Sequence, residues 1–205
     1  MQLINSPADI ATGTAALIER DPAFATLSHL TPSLRRRPAG FAALMRAIVG
    51  QQVSTASAAA IWGRVSMAGL DQPEAVTRAG EEGLRAVGLS RPKIRYALAL
   101  AGSDLAYDDL ANLPDEDVIA TLIRLPGIGR WTAESYALSA LGRCDVFPAG
   151  DLALQEAVRI LYHLDQRPDE RSLRAMSARW QPWRAVAARL LWELYRLDKQ
   201  REGTL

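Results

Sequence analysis

Apolar residues recur at three- and four-residue spacings along most of this chain. That is the period of helices with one buried face. The clearest run opens after Gly40, where Phe41, Leu44, Met45, Ile48 and Val49 share one side. Ile94, Ala97, Leu98 and Ala101 repeat the pattern over 93–101, and Trp183, Val186, Leu190, Leu191 and Leu194 do so near the C-terminus. Weaker patterns predict helices from about Pro7 to Arg20, over Ala56–Val65 with Ile61 and Trp62 inward, and over Leu173–Trp180. Asp71-Gln72-Pro73 predicts a short helix start by proline placement. Gly80 and Gly83 are expected to break that helix before another over Leu84–Leu89. Leu105–Pro114 reads as a polar connector, and no stretch shows two-residue alternation between turn residues. The expected fold is therefore all-α, with close to ten helices in two lobes. One lobe covers about 25–110; the other covers 111–205 plus the N-terminal helix, and a cleft between them is where a site is expected.

The most informative stretch is the helical hairpin expected over 116–141. Val118, Leu122 and Leu125 form one apolar stripe, and Ala133, Ala137, Leu138 and Leu141 form the next. Between them stands Leu125-Pro126-Gly127-Ile128-Gly129. A glycine turn that opens a helix leaves backbone N–H groups at the positive end of the helix dipole, which suits a phosphate oxygen. Past the hairpin, a loop over Cys144–Gly150 leads to Asp151, just ahead of another helical pattern. By position alone, Asp151 is a helix N-cap.

Composition narrows the classes. The chain has 205 residues, 49% of them apolar, which is a globular balance. No apolar run reaches membrane-spanning length, and the first residues lack a secretory pattern. The expected location is the cytoplasm, in association with the nucleoid of a bacterium, with no membrane partner. The single Cys144 permits neither an internal disulfide nor a four-cysteine cluster. Net charge is only +1, so there is no global field for steering to a polyanion. Lys93 and Lys199 are the only lysines. Arg35-Arg36-Arg37-Pro38 reads as a solvated basic loop, and Arg91, Lys93 and Arg95 as surface residues that could reach a phosphate.

Four segments together carry a family resemblance. LPGIGRWTA is followed by VFPAGD, with Asp151 22 residues beyond Gly129. IVGQQVST lies upstream, and RWQPWRAVAARLLW near the end. From about Phe41 to Leu194 the chain resembles the helix–hairpin–helix DNA glycosylases, in the DNA-3-methyladenine glycosylase II (alkylbase) branch, in a short form without the N-terminal α/β domain of larger relatives. The resemblance implies a DNA-repair enzyme acting as a monomer on double-stranded DNA with damaged bases. It would flip out alkylated purines, 3-methyladenine and 7-methylguanine among them, and hydrolyse the N-glycosidic bond to leave an abasic site. It implies Asp151 as the catalytic carboxylate, and Trp131 and Trp192 with Ser135 and Tyr136 at the base pocket. It also implies Gln52 as the wedge filling the vacated stack, with Ser54 nearby, and Gly127, Ile128, Gly129 and Arg130 as the phosphate grip.

No organic cofactor and no iron–sulfur cluster is expected. By resemblance, a structural Na+ or K+ would be held through the backbone carbonyls of Ile123, Leu125 and Ile128. Two departures shape the expectation. Trp131 stands where bifunctional relatives carry a Schiff-base lysine, so a lyase step is not expected. Ser135 stands where some alkylbase relatives have an aromatic, so the pocket is expected to be roomier. No second carboxylate or histidine is expected beside the Asp151 motif. Two other readings remain open at this stage: a helix–hairpin–helix module that binds DNA without catalysis, and a glycosylase for a neutral lesion.

Overall fold

Ser6 starts the first helix by closing a capping box with Asp9: its side chain accepts the Asp9 amide while the Asp9 carboxylate takes the Ser6 amide. Pro7 then occupies the first turn, where its missing N–H costs nothing. The computed structural model describes residues 2–34 and 36–202. Among them are ten α-helices: α1 (Pro7–Arg20), α2 (Phe41–Gly50), α3 (Thr55–Met67), α4 (Pro73–Ala86), α5 (Arg91–Ala101), α6 (Asp115–Leu122), α7 (Arg130–Ser139), α8 (Leu152–Leu161), α9 (Glu170–Ser177) and α10 (Arg184–Glu202). Short 3-10 turns cover Pro22–Leu27, Asp109–Ala111 and Ala178–Trp180. The described residues contain no strand, only a single bridge between Leu3 and Arg143. The all-α reading holds.

The chain divides into two units, residues 37–136 and residues 1–36 with 137–205. The sequence-based boundaries differ from this: residues 25–36 fall with the terminal unit, and 111–136 with the central one. The physical reason lies in the hairpin. Its turn is tied to the central unit by a hydrogen bond from Gln51 to Gly127 and by the Tyr96 ring against Gly127. Apolar periodicity along α6 shows that a face is buried, but not against what.

In the central unit, α2 packs on α3 and α5, and α4 on α5. Leu44, Ile48, Val65, Val76, Leu84, Ile94 and Leu122 are buried. Gly80 kinks α4 at φ 59°, whereas Gly83 continues the helix. Ile61 and Trp62, expected in the core, are only half-buried; α3 is largely exposed, and Arg46 lies 5.6 Å from the Trp62 ring centre. Lys93, read as a surface cation, is buried on the inward face of α5.

In the terminal unit, α10 packs on α8 and α1. Gly13 permits the close α1–α10 approach, since a Cβ there would lie 2.6 Å from the Trp183 ring. Phe24 and Phe147 meet Trp180 edge-on, with ring centres at 5.5 and 5.3 Å. Asp21 anchors this core from the end of α1. It accepts from the Tyr162 hydroxyl, from Trp180 Nε1 at 3.0 Å and from Arg179 Nε at 3.1 Å. Burial alone would raise the Asp21 pKa, but these donors outweigh it and hold the carboxyl below its ordinary value. Of the basic run, Arg35 lies outside the described residues. Arg36 is exposed, with its guanidinium over Gly142, a residue at φ 71°.

Candidate functional site

The hairpin turn follows from its residues. The Leu125 amide bonds back to the Leu122 carbonyl at 3.1 Å, and the Ile128 amide to the Leu125 carbonyl at 3.0 Å. Gly127 is at φ 84°, and a Cβ on it would sit 2.3 Å from Tyr96 Cγ, so only glycine fits. Gly129 is exposed, and nothing lies within 4 Å of its Cβ position. The first backbone bond back along α7 runs from Ala133 to the Gly129 carbonyl, 3.0 Å. The amides of Gly129 and Arg130 precede it and belong to the orphan donors of a helix start. Ile128 was expected among the phosphate donors, but its amide closes the turn and its side chain is buried.

Arg130 is similarly engaged through its side chain. Its Nη2 meets both Glu116 oxygens at 3.1 and 2.9 Å, and its Nε meets Glu134 Oε1 at 3.0 Å. Glu134 is buried, whereas Glu116 is exposed. The guanidinium thus clasps α6 to α7 within the central unit. A phosphate approaching this turn meets backbone amides and a cation already shared by two carboxylates.

Gln52 follows the end of α2. It is exposed and held at φ 54°, a region that non-glycine residues rarely adopt. Val53 beside it is also exposed. Ser54 caps α3, accepting the Ser57 amide at 3.2 Å. Trp131, in the first turn of α7, leaves 45% of its surface exposed, which is unusual for a large aromatic. Ser135 is half-buried. Tyr136 is buried and its hydroxyl accepts the Gly40 amide at 2.9 Å; burial pushes its pKa up. That phenol is committed to the central unit's core rather than presented at a surface.

In the terminal unit, Val146, Phe147, Pro148 and Ala149 are buried and lead to a half-buried Asp151. The Asp151 amide bonds the Pro148 carbonyl at 2.9 Å. Its Oδ1 accepts the amides of Ala153 and Leu154 at 2.9 and 3.2 Å, so Asp151 is indeed the N-cap of α8. Those bonds also fix where the carboxylate points. Gln155 locks the turn from behind, with its side-chain amide on the Ala149 carbonyl at 3.0 Å. Glu170 Oε2 lies 3.0 Å from the Cβ position of Gly150, so a second carboxylate stands beside the motif, where the sequence reading expected none. It is ion-paired to Arg174 at 2.8 Å. His29 and His163 line one cavity of about 320 Å³ with Asp198 in this unit. Trp192 is half-buried against the core and borders a narrow crevice with Pro32, Ser33 and Arg189.

The residues that sequence reasoning missed are Glu134 and Gln155, and it placed Lys93 at the surface. Each carried a faint signal: a polar residue on an otherwise apolar helical face, or directly beside one.

The glycine hairpin that opens α7 and the fixed carboxylate that caps α8 are the two features on which the resemblance to helix–hairpin–helix DNA glycosylases rests. The chain belongs to the HhH-GPD superfamily of base excision DNA repair proteins, whose family profile matches residues 45–183. It is 32% identical over 163 residues to DNA-3-methyladenine glycosylase 1 of Schizosaccharomyces pombe, covering 75% of this chain and 72% of that protein. The solved structure of the 3-methyladenine DNA glycosylase Mag1 from the same yeast, in complex with abasic DNA, superposes with a TM-score of 0.76 at 28% identity, covering 89% of this chain and 95% of that one. The Bacillus subtilis protein YfjP is 32% identical over 125 residues, which are 59% of this chain. The match spans only 44% of that relative's length.

Proposed function

We propose that this chain is a monofunctional DNA-3-methyladenine glycosylase, acting as a monomer on double-stranded DNA that carries alkylated purines. The observation that carries the reading is Asp151, a carboxylate fixed through Oδ1 at the start of α8 in a chain of this family. The relative solved on abasic DNA supports DNA as the partner.

A base inside a duplex is out of reach, so the nucleotide must be extruded. The Gly129 and Arg130 amides grip a backbone phosphate, and Gln52 fills the stack. The Asp151 carboxylate then stabilises positive charge at C1′ as the N-glycosidic bond breaks. An alkylated base such as 3-methyladenine or 7-methylguanine carries a positive charge in the nucleotide and departs neutral, taking the bonding electron pair. Water supplies hydroxide to C1′ and its proton is released, leaving an abasic site. Glu170 is paired with Arg174, and the reading calls on no acid, because the alkylated base leaves neutral. The aromatic faces of Trp131 and Trp192 are each suited to a cation, an attraction worth about 0.5–2 kcal/mol.

The carbonyls of Ile123, Leu125 and Ile128 lie on one short turn. Leu125 already accepts the Ile128 amide and keeps a second lone pair. These are the oxygens that would hold a Na+ or K+, which would stiffen the turn.

A panel of single-lesion duplexes tests the reading. Release of 3-methyladenine faster than uracil or 8-oxoguanine supports it. Binding without release of any base would make the chain a non-catalytic DNA-binding module.

A further inference from the structure

Three contacts inside residues 37–136 join the ends of three elements. Lys93 on α5 is buried, and its Nζ donates to the Val49 carbonyl in the last turn of α2, 2.7 Å away. An ammonium there satisfies one of the helix's orphan carbonyls and complements its negative end. Tyr96, further along α5, packs its ring where Gly127 would otherwise carry a Cβ. Gln51, the first residue beyond α2, closes the triangle. Its Nε2 donates to the Gly127 carbonyl at 2.7 Å. The brace therefore runs from the end of α2 to α5, from α5 to the hairpin turn, and from the turn back to α2.

Gln52 sits directly beyond this brace, at φ 54°. Strained backbone of this kind persists only where its surroundings over-determine it, and it collects at functional positions. Gln51 supplies that constraint on one side and the Ser54 cap of α3 on the other. The contact also depends on chemistry. The Gly127 oxygen is an acceptor, so the group facing it must donate. A carboxylate of the same shape would turn the contact repulsive.

We infer that Gln51 is a positioning residue that couples the wedge at Gln52 to the phosphate grip of the hairpin. This rests on the proposed glycosylase reading, in which Gln52 enters the stack. The hairpin cannot shift against Gln52 without breaking the 2.7 Å bond. A phosphate gripped at the turn therefore fixes where the wedge stands along the strand.

The test compares affinity for a duplex containing a tetrahydrofuran abasic analogue with affinity for the intact duplex. The variants are Gln51→Glu, Gln51→Met, Gln52→Ala and the Gln51→Met/Gln52→Ala pair. The wild-type chain is expected to prefer the abasic duplex. Gln51→Glu and Gln51→Met are expected to lose about five- to tenfold of that preference, the scale of one hydrogen bond, while holding intact duplex within about twofold. Adding Gln52→Ala to Gln51→Met is expected to cost little more, because the wedge is already misplaced and coupled sites are not additive. Should Gln51→Glu fail to fold, Gln51→Met decides. Preference retained in the folded variants, equal loss on both duplexes, or additive losses at 51 and 52 would overturn this inference alone. A wild-type chain with no preference for the abasic duplex would overturn the glycosylase reading, and this coupling with it.

Discussion

Gln155 donates its side-chain amide to the carbonyl of Ala149 at 3.0 Å, bridging the turn that ends at Asp151. Its own backbone amide bonds the Asp151 carbonyl, also at 3.0 Å. One buried residue thus holds both sides of the carboxylate's turn without being placed to touch DNA. Gln155→Leu removes the donor and leaves the Ala149 carbonyl unpaired, at a cost of about 1–3 kcal/mol. Small misplacements of a reacting group are costly, so single-turnover excision of 3-methyladenine is expected to slow by about ten- to a hundredfold. Affinity for abasic-analogue DNA is expected to stay within about twofold, because the hairpin that carries the phosphate contacts in this reading is untouched. Gel-based single-turnover kinetics beside an anisotropy titration check both halves.

Asp151 caps α8, and one substitution separates that role from the charge stabilisation proposed for it. As a cap it accepts two amides through Oδ1, and an asparagine oxygen caps about as well. As a charge stabiliser it needs its negative charge, which asparagine lacks. Asp151→Asn is therefore expected to keep its melting temperature and DNA affinity while excision falls on the order of 10²-fold or more. Excision within a factor of about three of wild type would reduce Asp151 to a helix cap.

The helices of this chain were legible because their periodicity and caps agree. The predicted limits of the first, Pro7 and Arg20, are those observed, since Ser6, Asp9 and Pro7 all mark the same start. The hairpin turn was legible because two closely spaced glycines between apolar stripes mark a tight turn, and Asp151 was legible as the cap of α8. The catalytic role proposed for it came from the family resemblance, not from its position. What escaped was partnership. Lys93 lies four residues before Ala97 and seven before Leu100, on the inward face of α5. A lysine is ordinarily an exposed residue, and that expectation overrode the face. Glu134 stands four residues after Arg130 on α7, a pairing that the spacing itself offers, whereas Glu116 meets Arg130 only once α6 and α7 pack. The unit boundary observed differs from the expected one for the same reason. Periodicity gives each helix a buried side, and only tertiary contacts such as Gln51 with Gly127 say which neighbour covers it.

The Arg130 clasp predicts an uncommon gain of affinity. Glu116 is exposed and holds Arg130 through both carboxylate oxygens. Glu116→Gln keeps the shape but releases a share of the guanidinium's charge beside the hairpin amides. Affinity for intact duplex is expected to rise, with the salt dependence of log K steeper by about one unit, as for one additional phosphate contact. Excision per bound complex is expected to stay near wild type, because the proposed carboxylate chemistry lies at Asp151 and not at Glu116. Anisotropy titrations across a range of salt concentrations measure the slope, and an unchanged slope would show that Arg130 stays out of phosphate reach.

Asp21 predicts how the fold responds to acid. Its carboxyl is buried, and burial opposes its charge. The donors Tyr162 and Trp180, with the Arg179 charge, more than offset that and set its folded pKa below the ordinary aspartate value. A depressed folded pKa contributes stability that is fully present above the unfolded value, about 4, and is lost as pH falls through the lower folded value. The wild-type melting temperature is therefore expected to decline from about pH 4 downward, with Asp21 as one contributor. Asp21→Asn strips the charge at every pH and turns part of the acceptor array into a donor facing Trp180 Nε1 and Arg179. It is expected to cost about 3 kcal/mol near neutral pH. That loss corresponds to a melting temperature lower by about 6–12 °C for a chain of this size. Below about pH 4 the variant's melting curve is expected to flatten against wild type, because it has no carboxylate left there to protonate. Calorimetric melts of both proteins between pH 3 and 8 test this, and parallel curves would mean that Asp21 is already protonated or unpaired in the folded chain.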